Sequence, residues 1–545
     1  MTYLAVPIAA KDLAQAKKQI KAARAGGAEM LELRTDYLEN LSVDLVKSLI
    51  AEAGNAAKQS LPVIVTCRDE KQGGAIAYPD KLRVDVLAGA LKAGAEFIDF
   101  EYENFLSAEN QERIKLALSQ GSKGRLILSA HNFETNEYHG LPARDTTAKM
   151  AVVLNKLYRT ILAVYPAAIP KLVYRANHIN DCFEAFDLLH QSSGERIVFC
   201  MGDAGLVSRI IAKKLNSFVT FASIDEKTAT APGQLTIEQF KKLYRYDFIN
   251  TGTCLYGIIG SPVAHSLSPA IHNACFGRQG INAVYLPLLV EPRPSAMGGG
   301  EGGKEQFGEF MEKIVNRSWL GFAGFSVTIP HKANALNYVR EKQGFIEPLA
   351  AKIGAANTIV VGPDGKLGAY NTDYAGALDA ITSAPGIKKD DLNNMTVAVV
   401  GAGGVARAIV AGLTDAGAQI TIYNRTVKKG KKLAAEFGCD FASLEKLPSV
   451  NAKLLINCTS VGMSPNVDAA PLPKECIKKD MVVFDAVYNP QETLLLKYAK
   501  QRGAKTIDGL SMFINQAMAQ FKLFTGQNAN PKLMRKTICN RLSCR

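Results

Sequence analysis

The segment Thr396-Val-Ala-Val-Val-Gly401-Ala402-Gly403-Gly404-Val405-Ala406 runs from five residues of strand character into a glycine-rich turn and a helical pattern. It reads as strand, tight turn and helix in the form GxGxxA. Gly401 permits the turn, Gly403 lets a pyrophosphate approach the backbone, and the small Ala406 lets helix and strand pack closely. Phosphates then meet free N–H groups and the positive end of a helix. Taken alone this is a structural glycine turn; the next strand makes it more. Ile420–Tyr423 runs into Asn424-Arg425-Thr426, where an NAD site usually has Asp or Glu for the ribose 2′-hydroxyl. No carboxylate stands there to repel a 2′-phosphate, and Arg425 can make a charge-assisted fork to one. The expected cofactor is NADP(H).

Upstream, short apolar, β-branched runs recur at Leu4–Ile8, Met30–Leu33, Leu61–Cys67, Phe97–Phe100, Arg125–Ser129, Lys171–Tyr174, Arg196–Cys200 and Phe218–Ile224. Amphipathic stretches such as Leu13–Ala25 separate most of them. Eight β-α units in about 250 residues predict a (β/α)8 TIM barrel rather than an open doubly wound sheet. The 545 residues exceed one hydrophobic core, which stops growing at roughly 250–300 residues. The expected class is α/β: a barrel, then a two-lobed α/β module with a Rossmann domain.

The composition, 47% hydrophobic and 21% charged, is that of a globular enzyme and excludes disordered, collagen-like and disulfide-scaffold chains. The net charge of +13 comes from dispersed Lys and Arg. It suits anionic small-molecule substrates, with no nucleic acid and no membrane partner. No apolar run reaches the roughly 18–20 residues of a membrane span. The opening MTYLAVPIAA reads as a first strand, so the expected location is the cytoplasm, or a plastid if a leader has been removed. Ten cysteines without a CxxC pair and seven histidines without ligand spacing predict no metal site. A Gly-rich segment, Met297–Lys304, reads as an exposed insertion, and the basic tail after Asn528 as surface.

Reactive residues of a barrel stand at the C-terminal ends of its strands. Those ends read Glu32-Leu-Arg34-Thr-Asp36, Thr66-Cys-Arg68, Ser129-Ala-His131-Asn-Phe133, Lys171, Arg209 and Thr230-Ala-Pro-Gly-Gln234. Three arginines, one histidine and one lysine make an anion site with a nucleophilic amine. Barrel interiors are filled by bulky apolar side chains, so a lysine on a strand calls for a chemical reason. Burial and the arginines are expected to lower its pKa, as an imine-forming lysine needs.

Around the glycine turn lie Ser266-Leu-Ser268-Pro, a strand from Gly324 through Thr328 to Pro-His331-Lys332, Ala355-Ala-Asn357, and Tyr370-Asn-Thr-Asp373, which closes a strand on a carboxylate. Asn457-Cys-Thr459-Ser-Val461-Gly462, Tyr488-Asn-Pro490 and Gly509-Leu-Ser-Met512-Phe-Ile-Asn-Gln516 follow. Singly, each is a turn or cap.

In this order the second set resembles the shikimate dehydrogenase family over Leu255–Leu523. The resemblance implies that Ser266, Ser268, Thr328, Asn357, Tyr488 and Gln516 hold substrate, that Lys332 and Asp373 are the catalytic pair, and that Thr459, Val461, Gly509 and Met512 lie near the cofactor. His331 is a bystander on its turn. The barrel set resembles the type I 3-dehydroquinate dehydratases over Tyr3–Ile249, through ELRTD, TCR…GG, SAHNF, IPKLV, GLVSR and TAPGQ. That resemblance implies an imine between Lys171 and the C3 ketone. His131 would take the C2 proton and help the C1 hydroxyl leave. Glu32, Arg34, Arg68, Arg209, Thr230 and Gln234 would orient the substrate. Two positions depart from the pattern: Gln72 stands where Glu is usual, with Glu70 two residues away, and Thr230 replaces Ser.

The implied enzyme is bifunctional. It dehydrates 3-dehydroquinate to 3-dehydroshikimate, then reduces that to shikimate with NADPH. Its expected domains are 1–250, 254–385 with 508–545, and 386–507. The rivals are a catabolic quinate/shikimate dehydrogenase preferring NAD, and a non-catalytic regulator derived from such enzymes.

Overall fold

The branched runs of the first half form eight parallel strands: β1 Tyr3–Ile8, β2 Met30–Arg34, β3 Val63–Thr66, β4 Phe97–Glu101, β5 Arg125–Asn132, β6 Ile169–Arg175, β7 Ile197–Met201 and β8 Val219–Phe221. This is a computed structural model, describing residues 1–54, 60–120, 123–132, 149–292, 302–383 and 387–543. The strands are hydrogen-bonded in the order β7-β6-β5-β4-β3-β2-β1-β8. Among the described residues no ladder joins β7 to β8. At their lower ends the Phe218 N–H donates to the Arg196 carbonyl at 2.7 Å, leaving a nearly closed barrel.

Side chains alternate across a strand with period two, and this places the chemistry. Met30, Phe97, Ile127 and Ile169 fill the barrel interior with Ala5, Ile64, Ile197 and Val219. Two and four residues further along the same faces stand Glu32 and Arg34, Asp99 and Glu101, Ser129 and His131, and Lys171 and Val173. An apolar floor thus carries polar layers at the C-terminal mouth.

By its contacts the chain divides into two compact units, one of Met1–Thr253 with Asn282–Val290 and one of Cys254–Ile281 with Glu291–Arg545. A six-stranded sheet follows the barrel in sequence, with strands β9 Cys254–Gly260, β10 Ala283–Leu289, β11 Phe322–Val327, β12 Phe345–Ile346, β13 Thr358–Val361 and β14 Leu367–Tyr370. Their order is β10-β9-β11-β13-β14-β12. The dinucleotide sheet is wholly parallel: β15 Thr396–Val400, β16 Gln419–Asn424, β17 Asp440–Ser443, β18 Leu454–Asn457, β19 Val482–Asp485 and β20 Lys505–Ile507. Its order, β17-β16-β15-β18-β19-β20, is the doubly wound 3-2-1-4-5-6 arrangement, whose ligand crevice opens where the order reverses beside the first strand. Apolar clusters cover both of its faces.

Helices Thr372–Thr382 and Gly509–Thr525 pack closely in the second unit because Gly376 lies at their contact. A Cβ there would sit 2.8 Å from the Gln516 amide nitrogen and 2.9 Å from the Met512 carbonyl oxygen. Gly376→Ala is expected to cost about 1–3 kcal/mol through overpacking. A thermal melt and the reductase KM check this; an unchanged melt would show that the helices separate without strain.

The tail departs from the surface reading. Lys532, Arg535, Lys536 and Arg541 lie on a helix, Pro531–Ser543, that buries Met534 and Ile538. Arg535 donates to Ser511 Oγ at 2.9 Å and pairs at 3.6 Å with Asp508, the N-cap of helix Gly509–Thr525. Of the expected insertion, residues 297–301 lie outside the described residues, and helix Gly302–Val315 takes up the rest. Among the described residues no helix is long and apolar enough to cross a membrane.

Candidate active sites

The barrel cavity is lined by Glu32, Arg34, Arg68, Gln72, His131, Lys171, Arg209 and Thr230, with Pro7, Gly73, Val173, Phe199 and Phe221 as apolar walls. Lys171 is 4% exposed. Its Nζ donates to Asp99 Oδ2 at 2.7 Å, reaches Glu32 Oε1 at 3.5 Å and stands 4.6 Å over the Phe221 ring. The arginines foreseen around this lysine are therefore only half of its surroundings. Asp99 also accepts from Ser129 Oγ at 2.6 Å and pairs with Arg68 at 2.9 Å. Burial alone would raise the Asp99 pKa, but Arg68 and Lys171 hold it well below the usual carboxylate range.

His131 donates its backbone N–H to Gln72 Oε1 at 3.0 Å, and its Nδ1 lies 3.3 Å from the same oxygen. An amide oxygen can only accept, so Nδ1 carries the proton and Nε2 is the basic nitrogen. Burial, then the charges of Arg68 and Lys171, push the imidazole pKa well down. Glu70 is exposed and offers no substitute charge. Phe133, the end of the SAHNF motif, lies outside the described residues.

Arg209 is 1% exposed, and among the described residues its Nε and Nη2 have no hydrogen-bond partner. Its guanidinium stacks 4.5 Å over Phe199, and burial lowers its pKa to about 10, which still leaves it charged at neutral pH. A buried cation with unsatisfied donors is a receptor for a carboxylate. Arg34 is already tied bidentately to Asp36, at 2.9 and 2.8 Å. Gln234 does not line the cavity. Its Oε1 accepts the Thr230 N–H at 2.8 Å and so shapes the loop that presents Thr230.

In the second unit one cleft gathers Ser268, Thr328, Lys332, Asn357, Asp373, Tyr488 and Gln516, with Val405, Gly509 and Met512 from the cofactor side. Lys332 Nζ donates to Asp373 Oδ2 at 2.5 Å, and Asn357 Nδ2 donates to Asp373 Oδ1 at 2.8 Å. Both members of the pair open helices, Lys332–Glu341 and Thr372–Thr382, instead of closing strands as the sequence suggested. Asn371 caps the second helix by accepting the Asp373 N–H at 3.1 Å. Ser266 is outside the cleft lining; its Oγ accepts the Ser268 N–H at 3.2 Å. His331 is buried against Phe307, ring centroids 5.4 Å apart, in keeping with a bystander. The Tyr488 ring stacks on Phe513 with centroids 4.9 Å apart.

The dinucleotide turn fits its ligand. Gly401 has φ +116° and donates its N–H to the Tyr423 carbonyl at 2.8 Å. A Cβ at Gly403 or Gly404 would meet only open space, so the backbone at the start of helix Gly404–Asp415 is accessible to a pyrophosphate. The neighbouring loop is built on Asn457. Its Oδ1 accepts the Thr459 N–H at 3.0 Å and the Thr459 hydroxyl at 2.6 Å, and its amide donates to the Val461 carbonyl at 3.3 Å. Asn424 donates to the Thr426 carbonyl at 2.8 Å, which leaves Arg425 exposed at the tip of β16.

Asp99 and Glu101 were missed from sequence, although Phe97-Ile-Asp99-Phe-Glu101 puts two carboxylates on one face of a barrel strand, the same anomaly that singled out Lys171. Gln520 was also missed. It lines the cleft four residues after Gln516 and accepts from Ser326 Oγ at 2.7 Å.

Two reaction centres of different kinds make this chain a fused enzyme, a lyase joined to a nicotinamide-dependent oxidoreductase. Residues 4–251 match the profile of Type I 3-dehydroquinase. Residues 258–359 match the shikimate dehydrogenase substrate binding domain, 385–492 shikimate / quinate 5-dehydrogenase, and 509–539 the shikimate 5'-dehydrogenase C-terminal domain. Over 551 residues the chain is 34% identical to the bifunctional 3-dehydroquinate dehydratase/shikimate dehydrogenase, chloroplastic, of Arabidopsis thaliana, covering 98% of this chain and 83% of that protein. The chain belongs to the family of bifunctional 3-dehydroquinate dehydratase/shikimate dehydrogenases. It is a shikimate-pathway enzyme with dehydratase and NADP-dependent shikimate dehydrogenase activities. The NADP(+) shikimate dehydrogenase of Caldanaerobacter subterraneus subsp. tengcongensis is 40% identical over 51% of this chain and 94% of its own. The crystal structure of Thermus thermophilus shikimate 5-dehydrogenase in complex with NADP(H) and shikimate is 32% identical, with a TM-score of 0.45, over 53% of this chain and 100% of that one.

Proposed function

We propose that the two sites divide the work as follows: an imine on Lys171 carries the dehydration of 3-dehydroquinate, and Lys332 with Asp373 serves the reduction of 3-dehydroshikimate. The reading is carried by one observation, the amine of Lys171 buried in a cavity that it shares with His131 and with the unpaired Arg209.

In the barrel, Arg209 takes the substrate carboxylate, and Glu32, Arg34, Arg68 and Thr230 orient the ring, with Gln234 acting through Thr230. The Lys171 amine adds to the C3 carbonyl, and water leaves to give a protonated imine. That cation draws electrons from C2, so His131 Nε2 can remove the C2 proton. The enamine pair then expels the C1 hydroxyl, which takes the proton back from His131 and departs as water. Hydrolysis of the imine restores Lys171 and releases the conjugated ketone.

In the second cleft, Ser268, Thr328, Asn357, Tyr488 and Gln516 hold the hydroxyls and carboxylate, with Ser266 acting through Ser268. The loop Gly401–Ala406, residues Asn424 to Thr426, and Thr459, Val461, Gly509 and Met512 hold NADPH, which when bound supplies a hydride to the ketone carbon. Lys332 gives a proton to the oxygen left behind, and Asp373 keeps the ammonium aimed at it. This reading supports domains at 1–250, 254–385 with 508–545, and 386–507. The enzyme acts on small carboxylates without nucleic acid or membrane, in the cytoplasm or in a plastid. With 3-dehydroquinate and NADPH supplied together, the wild type is expected to consume NADPH; no consumption would overturn the reading.

Two expectations probe individual residues. Gln72→Glu sets a carboxylate against His131 Nδ1, which favours the imidazolium and raises the imidazole pKa. A base works only unprotonated, so the acid limb of the dehydratase kcat/KM profile moves to higher pH, with severalfold loss in mild acid. A limb that stays in place shows that the charge is immaterial. Arg425→Ala removes the cation available to the 2′-phosphate. Hydrogen bonds to charged groups contribute about 1.5–3 kcal/mol, so kcat/KM for NADPH falls about tenfold to a hundredfold while that for NADH changes little. Equal losses with both cofactors would remove Arg425 from the specificity role.

A further inference from the structure

Behind the barrel cavity lies a chain of buried ionic groups that reaches the reactive lysine from outside the substrate's reach. Arg83, on helix Asp80–Lys92, is 1% exposed and does not line the cavity. Its Nη2 donates to Glu101 Oε2, its Nε to the Cys67 carbonyl at 3.0 Å, and its Nη1 to Asp80 at 2.7 Å and Asp69 at 3.2 Å. The guanidinium also stacks 5.2 Å over Phe100. Every Arg83 nitrogen is thus engaged in one geometry. Glu101 is fully buried, and its other oxygen accepts Arg68 Nη1 at 2.8 Å and the Asp69 N–H at 3.1 Å. Arg68 in turn holds Asp99 at 2.9 Å, and Asp99 holds the Lys171 ammonium at 2.7 Å. The order is Arg83, Glu101, Arg68, Asp99, Lys171, with charges alternating at each step.

We infer that Arg83 is a positioning residue for the dehydratase, fixing Glu101 so that Arg68 is shared between two carboxylates and Asp99 stays aimed at Lys171. Glu101 without Arg83 has only Arg68 to neutralise it in a dry interior. An uncompensated buried carboxylate then pulls the guanidinium to itself. Arg68 turns from Asp99, and Asp99 loses the partner that sets its angle to the amine. Substrate still binds, because Arg209 takes its carboxylate and the cavity residues other than Arg68 stay in place. The step that suffers is formation of the imine, so this inference rests on the imine reading above.

The test uses the full chain and its variants Arg83→Met, Arg83→Lys and Glu101→Gln. Dehydration is followed by the ultraviolet absorbance of the conjugated product, and imine formation by borohydride reduction onto the protein, read by mass. Rates are taken per folded molecule from a melting curve. Arg83→Met is expected to lower kcat tenfold or more with KM within about twofold, and to slow trapping by the same factor. Arg83→Lys keeps the charge and recovers most of the loss. Where Arg83→Met does not fold, Glu101→Gln ends the sharing from the other side: Arg68 is left with Asp99 as its one paired carboxylate and draws it from the amine, so the same split is expected. Wild-type trapping and kcat in Arg83→Met, a KM rise instead of a kcat fall, or no recovery in Arg83→Lys each overturns the inference. Absence of trapping in the wild type itself would instead overturn the imine reading.

Discussion

Lys171→Ala is expected to abolish dehydration of 3-dehydroquinate while leaving reduction of supplied 3-dehydroshikimate at the wild-type rate. The loss should reach about 10^4-fold or more, the scale on which removal of a covalent nucleophile is felt. The reason is electronic. A C2 proton beside a plain ketone is held far more firmly than one beside a protonated imine, and neither His131 nor Arg209 can supply that sink. Deleting the amine also leaves Asp99 and Glu32 facing an empty position, with Arg68 the one cation still paired with Asp99. Removing one partner of a buried pair destabilises by about 3–5 kcal/mol, so a lowered melting temperature is expected and rates must be taken on folded protein. The assay follows NADPH. Lys171→Ala should consume none with 3-dehydroquinate and the normal amount with 3-dehydroshikimate. Consumption from 3-dehydroquinate would show that the barrel works without the imine.

What the sequence revealed and what it hid follow from how each feature is encoded. The eight barrel strands were legible because each is a short run of branched apolar residues between polar helices. Lys171 stood out because such a run has no room for an idle ammonium. The dinucleotide sheet was legible from one strand, one glycine turn and the missing carboxylate after the next strand. Partners were the hidden part. Nothing in one dimension says that Asp99 bridges Lys171 and Arg68, or that Glu101 lies between two guanidiniums. Those facts depend on which strands stand side by side.

Local misreadings have local causes. In sequence Asp373 reads as a strand end because Asn371, Thr372 and Asp373 follow the apolar run of β14. Asn371 is in fact a helix cap, and the cap turns the carboxylate toward Lys332. The tail was read by its charge, which hid Met534 and Ile538, four residues apart on one buried face. Gln234 was read as a substrate contact from its place in TAPGQ, whereas its side chain turns back to its own loop.

Lys332→Ala and Asp373→Asn are each expected to remove most of the reductase kcat, and together to cost little more than the worse of the two. Proton transfer by a positioned side chain contributes typically 10^2–10^4-fold, and Lys332 is the nearest such donor to the carboxylate that aims it. Asp373→Asn keeps an oxygen for the Asn357 amide, which now donates at 2.8 Å. It presents an amide where the ammonium needs an anion, and the 2.5 Å contact is lost. A lysine released from that contact no longer points at the developing alkoxide, so the second substitution finds the function already gone. Residues that act as a unit give such non-additive losses. The pair is not deeply buried, with side-chain exposures of 19% and 11%, so stability should change little and the loss should fall on kcat. In both variants the barrel should still turn 3-dehydroquinate into 3-dehydroshikimate, which then accumulates unreduced. A double variant whose losses multiply would mean that lysine and aspartate act on the substrate independently, and the proton would need another route.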